Sequence, residues 1–152
     1  MQKRSGISPV IATVIIVAVT IAVAIAVAFW MTGIVGLFTG FEQLQITSIY
    51  DNSSGIVITV QNTGTSTATI TDIYVNGLPS SATGLTVQVG NKPVSFPIPL
   101  NPGNQTTLIL QFSKKPSQFT VTPGVSLEIK LHTASGKDYP KLIVLQAYSV
   151  KS

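Results

Sequence analysis

From Ile7 to Gly40 the chain reads ISPVIATVIIVAVTIAVAIAVAFWMTGIVGLFTG without one charged residue. Lys3 and Arg4 precede this run, and Glu42 is the first charge after it. Within it, Ala22 to Phe29 alternate small and large side chains, a period that suits a strand. Length decides against that, because strands rarely exceed about ten residues while about 18 or more apolar residues make a membrane-spanning helix. The pattern predicts a helix from about Ser8 to Phe38, with Ser8 as its N-cap and Pro9 as its first helical residue. Gly33, Gly36 and Gly40 mark where it weakens or ends. At 1.5 Å per residue such a helix is roughly 45 Å long, more than the about 30 Å of one hydrocarbon layer. Apolar on every side, it must be buried, in lipid or inside a protein assembly.

After Gly40 the period changes to two. Phe41 to Asp51 leaves the helix as an extended segment. Ile56, Ile58 and Val60 alternate with Val57, Thr59 and Gln61 until Asn62-Thr63-Gly64 breaks the strand. Thr67 to Val75 is β-prone, but Ala68 and Ile70 fall out of phase with Ile73 and Val75, so a bulge near Asp72 is predicted. Asn76-Gly77 signals a turn. Leu85 to Val89, Leu108 to Phe112 and Val125 to Leu131 alternate, with prolines 93, 97 and 99 marking a loop or edge segment and Asn101-Pro102-Gly103 a turn. Ser135-Gly136 turns into a final segment, Tyr139 to Tyr148. Six to eight short strands in about 110 residues predict an antiparallel, Ig-like β-sandwich, so the fold class is α+β. In the last strand Leu142, Ile143, Val144 and Leu145 are apolar on both faces. This predicts a central strand covered on both sides; the rival reading is a patch that buries against a neighbouring subunit.

Along the helix, small residues recur every four positions: Ala18, Ala22 and Ala26 on one line, Thr20, Ala24 and Ala28 on another, and Gly36 and Gly40 as a GxxxG. Such lines let helix backbones approach closely, and they are the candidate packing seams.

Composition narrows the chemistry. Of 152 residues only 9% are charged, against a usual level of about 25%. The net charge is +4, two of it from Lys3 and Arg4; beyond Gly40 seven scattered lysines face five acids. That is too weak for a nucleic-acid footprint, so no nucleic-acid partner is expected. There is no cysteine and one histidine, His132, which continues the polar side of its strand and reads as exposed and inert. One histidine and no cysteine cannot supply a His-based zinc site. Glu42, Asp51, Asp72, Glu128 and Asp138 form no pair spaced for shared proton or metal work. Neither a Gly-x-Ser-x-Gly nor a phosphate-cradling glycine loop occurs. No catalytic residue, metal or cofactor is therefore expected, and the protein reads as a non-enzyme. Asn52-Ser53-Ser54 and Asn104-Gln105-Thr106 are N-glycosylation sequons near turns, and Thr63 to Thr71 is a candidate for O-linked sugar.

The leader MQKRSG places positive charge before the apolar run, which fits export with the N-terminus held in the cytoplasm. Three outcomes compete: a cut after Ala26-Val27-Ala28, an uncut anchor, or a cut between Gly6 and Ile7 that leaves the helix on the mature chain. The first is disfavoured because the apolar run exceeds the usual 7 to about 15 residues of a signal peptide.

At these residues KRSG-ISPVIATVIIVAVTIAVAIAVAF resembles the class III signal peptide and N-terminal helix of archaeal type IV pilins and archaellins. The likeness covers about residues 3–40 and, more loosely, residues 55–77. It implies cleavage after Gly6 by a prepilin-peptidase-like enzyme, so that Ile7 begins the mature subunit, and N-terminal helices bundled as a filament core. Ser5 stands where the family often has a basic residue. Ile11 stands at the fifth mature position, where bacterial pilins carry glutamate, so their charge pairing with the N-terminus does not transfer.

The organisation expected is a cleaved leader (1–6), a hydrophobic helix (7–40) that anchors the precursor in the membrane and forms the core when assembled, and a β-sandwich outer domain (41–152). The function expected is a structural subunit of an extracellular type IV pilus-like adhesion filament. Its partners are copies of itself, the peptidase, the assembly machinery and, as precursor, the cytoplasmic membrane. The alternatives are an archaellin serving motility and a membrane-anchored β-sandwich binding module.

Overall fold

The computed structural model describes residues 7–38 and 40–150. The leader Met1–Gly6, and with it Gly6 of the expected cleavage junction, lies outside the described residues. The chain divides into two compact units, Met1–Gly40 and Phe41–Ser152.

The first unit is the helix α1, Ile7–Phe38. Ile7 and Ser8 are already helical, two residues before the Pro9 start that the capping signal predicts, and Pro9 is the third residue of α1. Pro9 is still harmless there, because the first four N–H groups of a helix have no internal acceptor. The helix runs through Gly33 and Gly36, since one glycine costs only about 1 kcal/mol in a long apolar helix. Gly40 lies beyond its end.

The second unit is a β-sandwich. Its strands are β1 (Leu44–Asn52), β2 (Gly55–Asn62), β3 (Ala68–Val75), β4 (Leu78–Pro79), β5 (Leu85–Val89), β6 (Lys92–Val94), β7 (Ile98–Leu100), β8 (Gln105–Phe112), β9 (Ser126–Thr133) and β10 (Asp138–Val144), with one helical turn, α2 (Ser80–Thr83), after β4. The first sheet has the order β1-β2-β8-β5-β6 and the second β10-β9-β3-β4, with β7 also paired to β3. Every pairing is antiparallel. The alternating apolar positions point inward: Ile56, Ile58 and Val60 of β2, Leu108 and Leu110 of β8, and Leu127, Ile129 and Leu131 of β9 are fully buried in one core. Each such side chain contributes about 1.5–3 kcal/mol relative to exposure.

The predicted bulge is present. The register of β3 on β9 shifts between Ile70 and Asp72, and that extra residue brings Ala68, Ile70, Ile73 and Val75 all to the core. Asn76 (φ 51°) and Gly77 (φ 81°) form the left-handed pair that a tight hairpin needs. The proline-rich stretch forms β6, at the edge of the first sheet, and β7. The last strand overturns its expectation. β10 is an edge strand, with Ile143 and Leu145 buried but Leu142 69% and Val144 54% exposed. Alternation sent one apolar pair inward; among the described residues no further strand covers the other pair.

Candidate assembly and contact surfaces

The helix α1 presents its apolar side chains outward on all sides. Large residues from Val10 to Met31 are more than half exposed, from 51% at Ile25 to 75% at Phe29. The span Ser8–Ile34 is long and apolar enough to cross a membrane. Its only hydroxyl-bearing interior residues are internally satisfied: Thr13, Thr20 and Thr32 donate to the carbonyls of Pro9, Ile16 and Ala28 at 2.7–2.8 Å. No polar group along the described middle of the helix then needs water. Ala18, Ala22 and Ala26 are exposed on one helical line, as are Thr20, Ala24 and Ala28.

Three polar devices tie the β unit together, and the sequence signals only part of them. The first holds the segment that leads into β1. Glu42 is buried, and its carboxylate accepts from the hydroxyls of Thr133 (2.5 Å) and Ser135. The Phe41 carbonyl accepts from the N–H groups of Thr65 and Ser66, and the Gln43 carbonyl from that of Thr63. Gly64 lies so close to this segment that a Cβ would stand 2.6 Å from both Gln43 N and Phe41 O. Lys137 Nζ donates to the Glu42 carbonyl at 2.8 Å. The second device is Asn62, fully buried at the end of β2, whose side chain reaches β7 and the following turn.

The third is Asp51. One carboxylate oxygen accepts from the backbone N–H groups of Gln146, Ala147 and Tyr148 at 2.7–2.8 Å. It straps the segment after β10 to β1, while the Tyr148 hydroxyl accepts from Phe112 N and its ring stacks on Phe112. Partial burial raises the Asp51 carboxyl, but the N–H groups of Ala147, Tyr148 and Gln146 outweigh it and hold it below the usual range. A depressed carboxylate contributes stability above its unfolded value and loses it as pH falls through the folded value. The strap is therefore expected to weaken only below about pH 4. Asp51→Asn is expected to lower the urea midpoint at pH 7 and to flatten its decline below about pH 4. An acid profile for Asp51→Asn identical to that of wild type would assign the decline to other carboxylates.

His132 departs from the inert residue expected. It is 35% exposed and its Nδ1 lies 2.5 Å from Asp138 Oδ1, with Lys130 Nζ 3.5 Å from the other carboxylate oxygen. Lys130 also lies 5.0 Å from the Tyr74 ring centroid, and His132 meets that ring edge-on. The His132 hydrogen bond, then the Lys130 charge, hold the Asp138 carboxyl below its usual range. The alternation of strands facing outward could have paired His132 with an acid only if the β9–β10 register were known, because Asp138 is its cross-strand partner. Among the described residues no group of three or more His, Cys, Asp or Glu could hold a metal.

Of the sequons, Asn52 ends β1 in an exposed hairpin, with its Oδ1 accepting from Ser54 N and Gly55 N, and Asn104 is exposed just before β8.

No family model matches the chain, and no curated protein matches it. Solved structures do. The archaellum periplasmic stator protein FlaG from Sulfolobus acidocaldarius is 21% identical, with a TM-score of 0.41 over 68% of this chain and 100% of that one. The FlaF and FlaG stator complex from the same organism gives 19% identity and a TM-score of 0.40, over 68% of this chain and 90% of that one. The archaeal flagellum of Methanospirillum hungatei strain JF1 gives 16% and 0.44, over 96% and 94%. At these identities and TM-scores the likenesses fix neither family nor role.

Proposed function

We propose that this chain is the subunit of an extracellular archaeal filament of the type IV pilus kind, serving surface adhesion. The observation that carries the reading is α1: 32 residues, uncharged, apolar on every side, joined to a β unit that has its own complete core. Such a helix has two stable homes. As precursor it lies in the cytoplasmic membrane; after leader removal it joins a bundle of like helices, with the β units outside. Exchange of lipid for apolar neighbours is nearly neutral, so close packing through the alanine lines supplies the preference. A head-to-tail contact that does not close produces a helical polymer. The same architecture in an archaellin would serve motility; loss of swimming, rather than of attachment, on gene deletion is the result that favours it.

The decisive experiment is the mature N-terminus. Cleavage between Gly6 and Ile7 predicts a chain starting at Ile7. A start at Phe29 would mean ordinary signal-peptide removal and a start at Met1 an uncut anchor, and both contradict the filament reading. Sugar at Asn52 or Asn104 belongs to the same reading, since it would solubilise a surface poor in charge; an unmodified intact mass of native protein would remove it.

A further inference from the structure

The two outward faces of the sandwich differ in charge. On the second sheet, strand register places Asp72, His132 and Asp138 in one row, Tyr74, Lys130 and Pro140 in the next, and Glu128 beside Leu142. On the first sheet the outward rows are Gln45, Gln61 and Gln105; Ser48, Thr59 and Thr107; Tyr50, Val57, Ile109 and Gln88; and Gln111 with Thr86. None of these side chains carries charge, although the β unit contains five acids and seven lysines. The face is hydroxyl and primary amide, with Tyr50 exposed on it, Ile109 half-buried and Val57 buried between them. It is also pre-ordered. Gln88 Nε2 donates to Gln111 Oε1 at 3.0 Å, Gln111 Nε2 to the Ser54 carbonyl at 2.6 Å, and the Thr59 and Thr107 hydroxyls lie 3.4 Å apart.

The geometry points to this face as a docking surface for a neutral polysaccharide. Charge selects the class, because a face without charge leaves an anionic or cationic partner's groups unpaired when it covers them. Hydroxyls and amides each donate and accept, as sugar hydroxyls do. The Tyr50 ring, 52% exposed, offers an apolar platform one side chain wide, suited to the carbon face of a sugar ring. Area argues against a second copy of this chain. Four strands about 4.8 Å apart and rows about 6.8 Å apart give about 400 Å², half of the about 800 Å² per partner that a stable protein interface buries. A weak site per subunit gains avidity when many are displayed on one filament. The inference rests on the adhesive part of the reading above and names the class of surface adhered to.

The test uses full-length chain dispersed in a polyoxyethylene detergent, which has no sugar headgroup to compete. Dispersed chain separates failure to bind from failure to polymerise. The probes are microcrystalline cellulose and chitin in sedimentation assays. Wild type is expected to be retained on at least one of them, equally at low and at high salt, since neutral recognition is not screened. Thr107→Glu is expected to lower the bound fraction at least fivefold, while Ser126→Glu, which adds the same charge to the second sheet, leaves it unchanged. Both variants are checked for native strand content by circular dichroism. Retention of wild type by neither polymer overturns the proposal, as does undiminished retention of Thr107→Glu. Two further results reassign the face and also overturn it. In one, Thr107→Glu stops polymerisation on detergent removal while Ser126→Glu does not, making the occupant a second copy. In the other, Asn52→Gln binds where glycosylated wild type does not, making the occupant the chain's own glycan.

Discussion

Ala22→Leu is expected to leave precursor levels and leader removal normal while surface filaments become absent or fragile. Ala22 lies in the middle of α1, exposed, on the line it shares with Ala18 and Ala26. Leucine keeps the segment apolar, so membrane insertion is unaffected, and it is a good helix former, so the helix persists. What changes is volume. On a seam where backbones approach closely, a larger side chain forces the neighbouring helix away, at a typical overpacking cost of about 1–3 kcal/mol per site. In a polymer every subunit carries that cost, through more than one neighbour. Val23→Leu is the control. It sits about 100° around the helix, adds less volume, and is expected to be milder. The measurement is electron microscopy of sheared filaments beside an immunoblot of the membrane fraction. Normal filaments from Ala22→Leu would show that the alanine line faces a gap or lipid, and the packing proposal would fail.

Asn62→Ala is expected to destabilise the β unit by about 3 kcal/mol or more. Asn62 is fully buried. Its Nδ2 donates to the carbonyls of Ser66 and Leu100, each at 2.8 Å, and its Oδ1 accepts from Gly64 N at 2.9 Å. Its backbone N–H and carbonyl bond Asn104 and Gly103 as well. One side chain thus joins the end of β2 in the first sheet to β7 on the second and shapes the turn that presses Gly64 against residues 41–43. Alanine strands two carbonyls and an N–H, and each buried orphan costs about 1–3 kcal/mol. Asn62→Asp tests the donors alone: it keeps an acceptor for Gly64 N but turns a carboxylate toward two carbonyls, and is expected to be at least as damaging. Thr63→Ala, an exposed neighbour, should stay within about 0.5 kcal/mol. The readout is urea unfolding of the full chain in detergent, followed by far-ultraviolet circular dichroism, because the single tryptophan, Trp30, lies in α1 and reports only the helix. A midpoint for Asn62→Ala equal to that of wild type would mean that ordered water replaces the amide.

Where sequence reading succeeded, a local period carried the information. The helix was legible because 34 uncharged residues fit no other element, and β2, β8 and β9 because two-residue alternation survives in each. Even the bulge in β3 was legible, as a break of phase between Ile70 and Ile73. The helix span, read as about Ser8 to Phe38, is Ile7–Phe38, and only its N-cap was misplaced, because Ser8 is already helical. A cap contributes about 1 kcal/mol, little against the cooperative extension of so apolar a helix.

What the sequence by itself determined is the division of the chain: a helix that cannot face water and a β unit that alternates. What only the tertiary structure decided is neighbourhood. Strand order made β10 an edge rather than a centre, leaving Leu142 and Val144 in solvent. Register joined His132 to Asp138 and gathered Gln and Thr residues from β1, β2, β8 and β5 onto one uncharged face. Long-range folding buried Glu42 under a turn more than ninety residues away and set Asp51 beneath three N–H groups of the C-terminal segment. Periodicity says which side of an element is apolar; it carries no term for which elements pair, and pairing is what brings polar groups together.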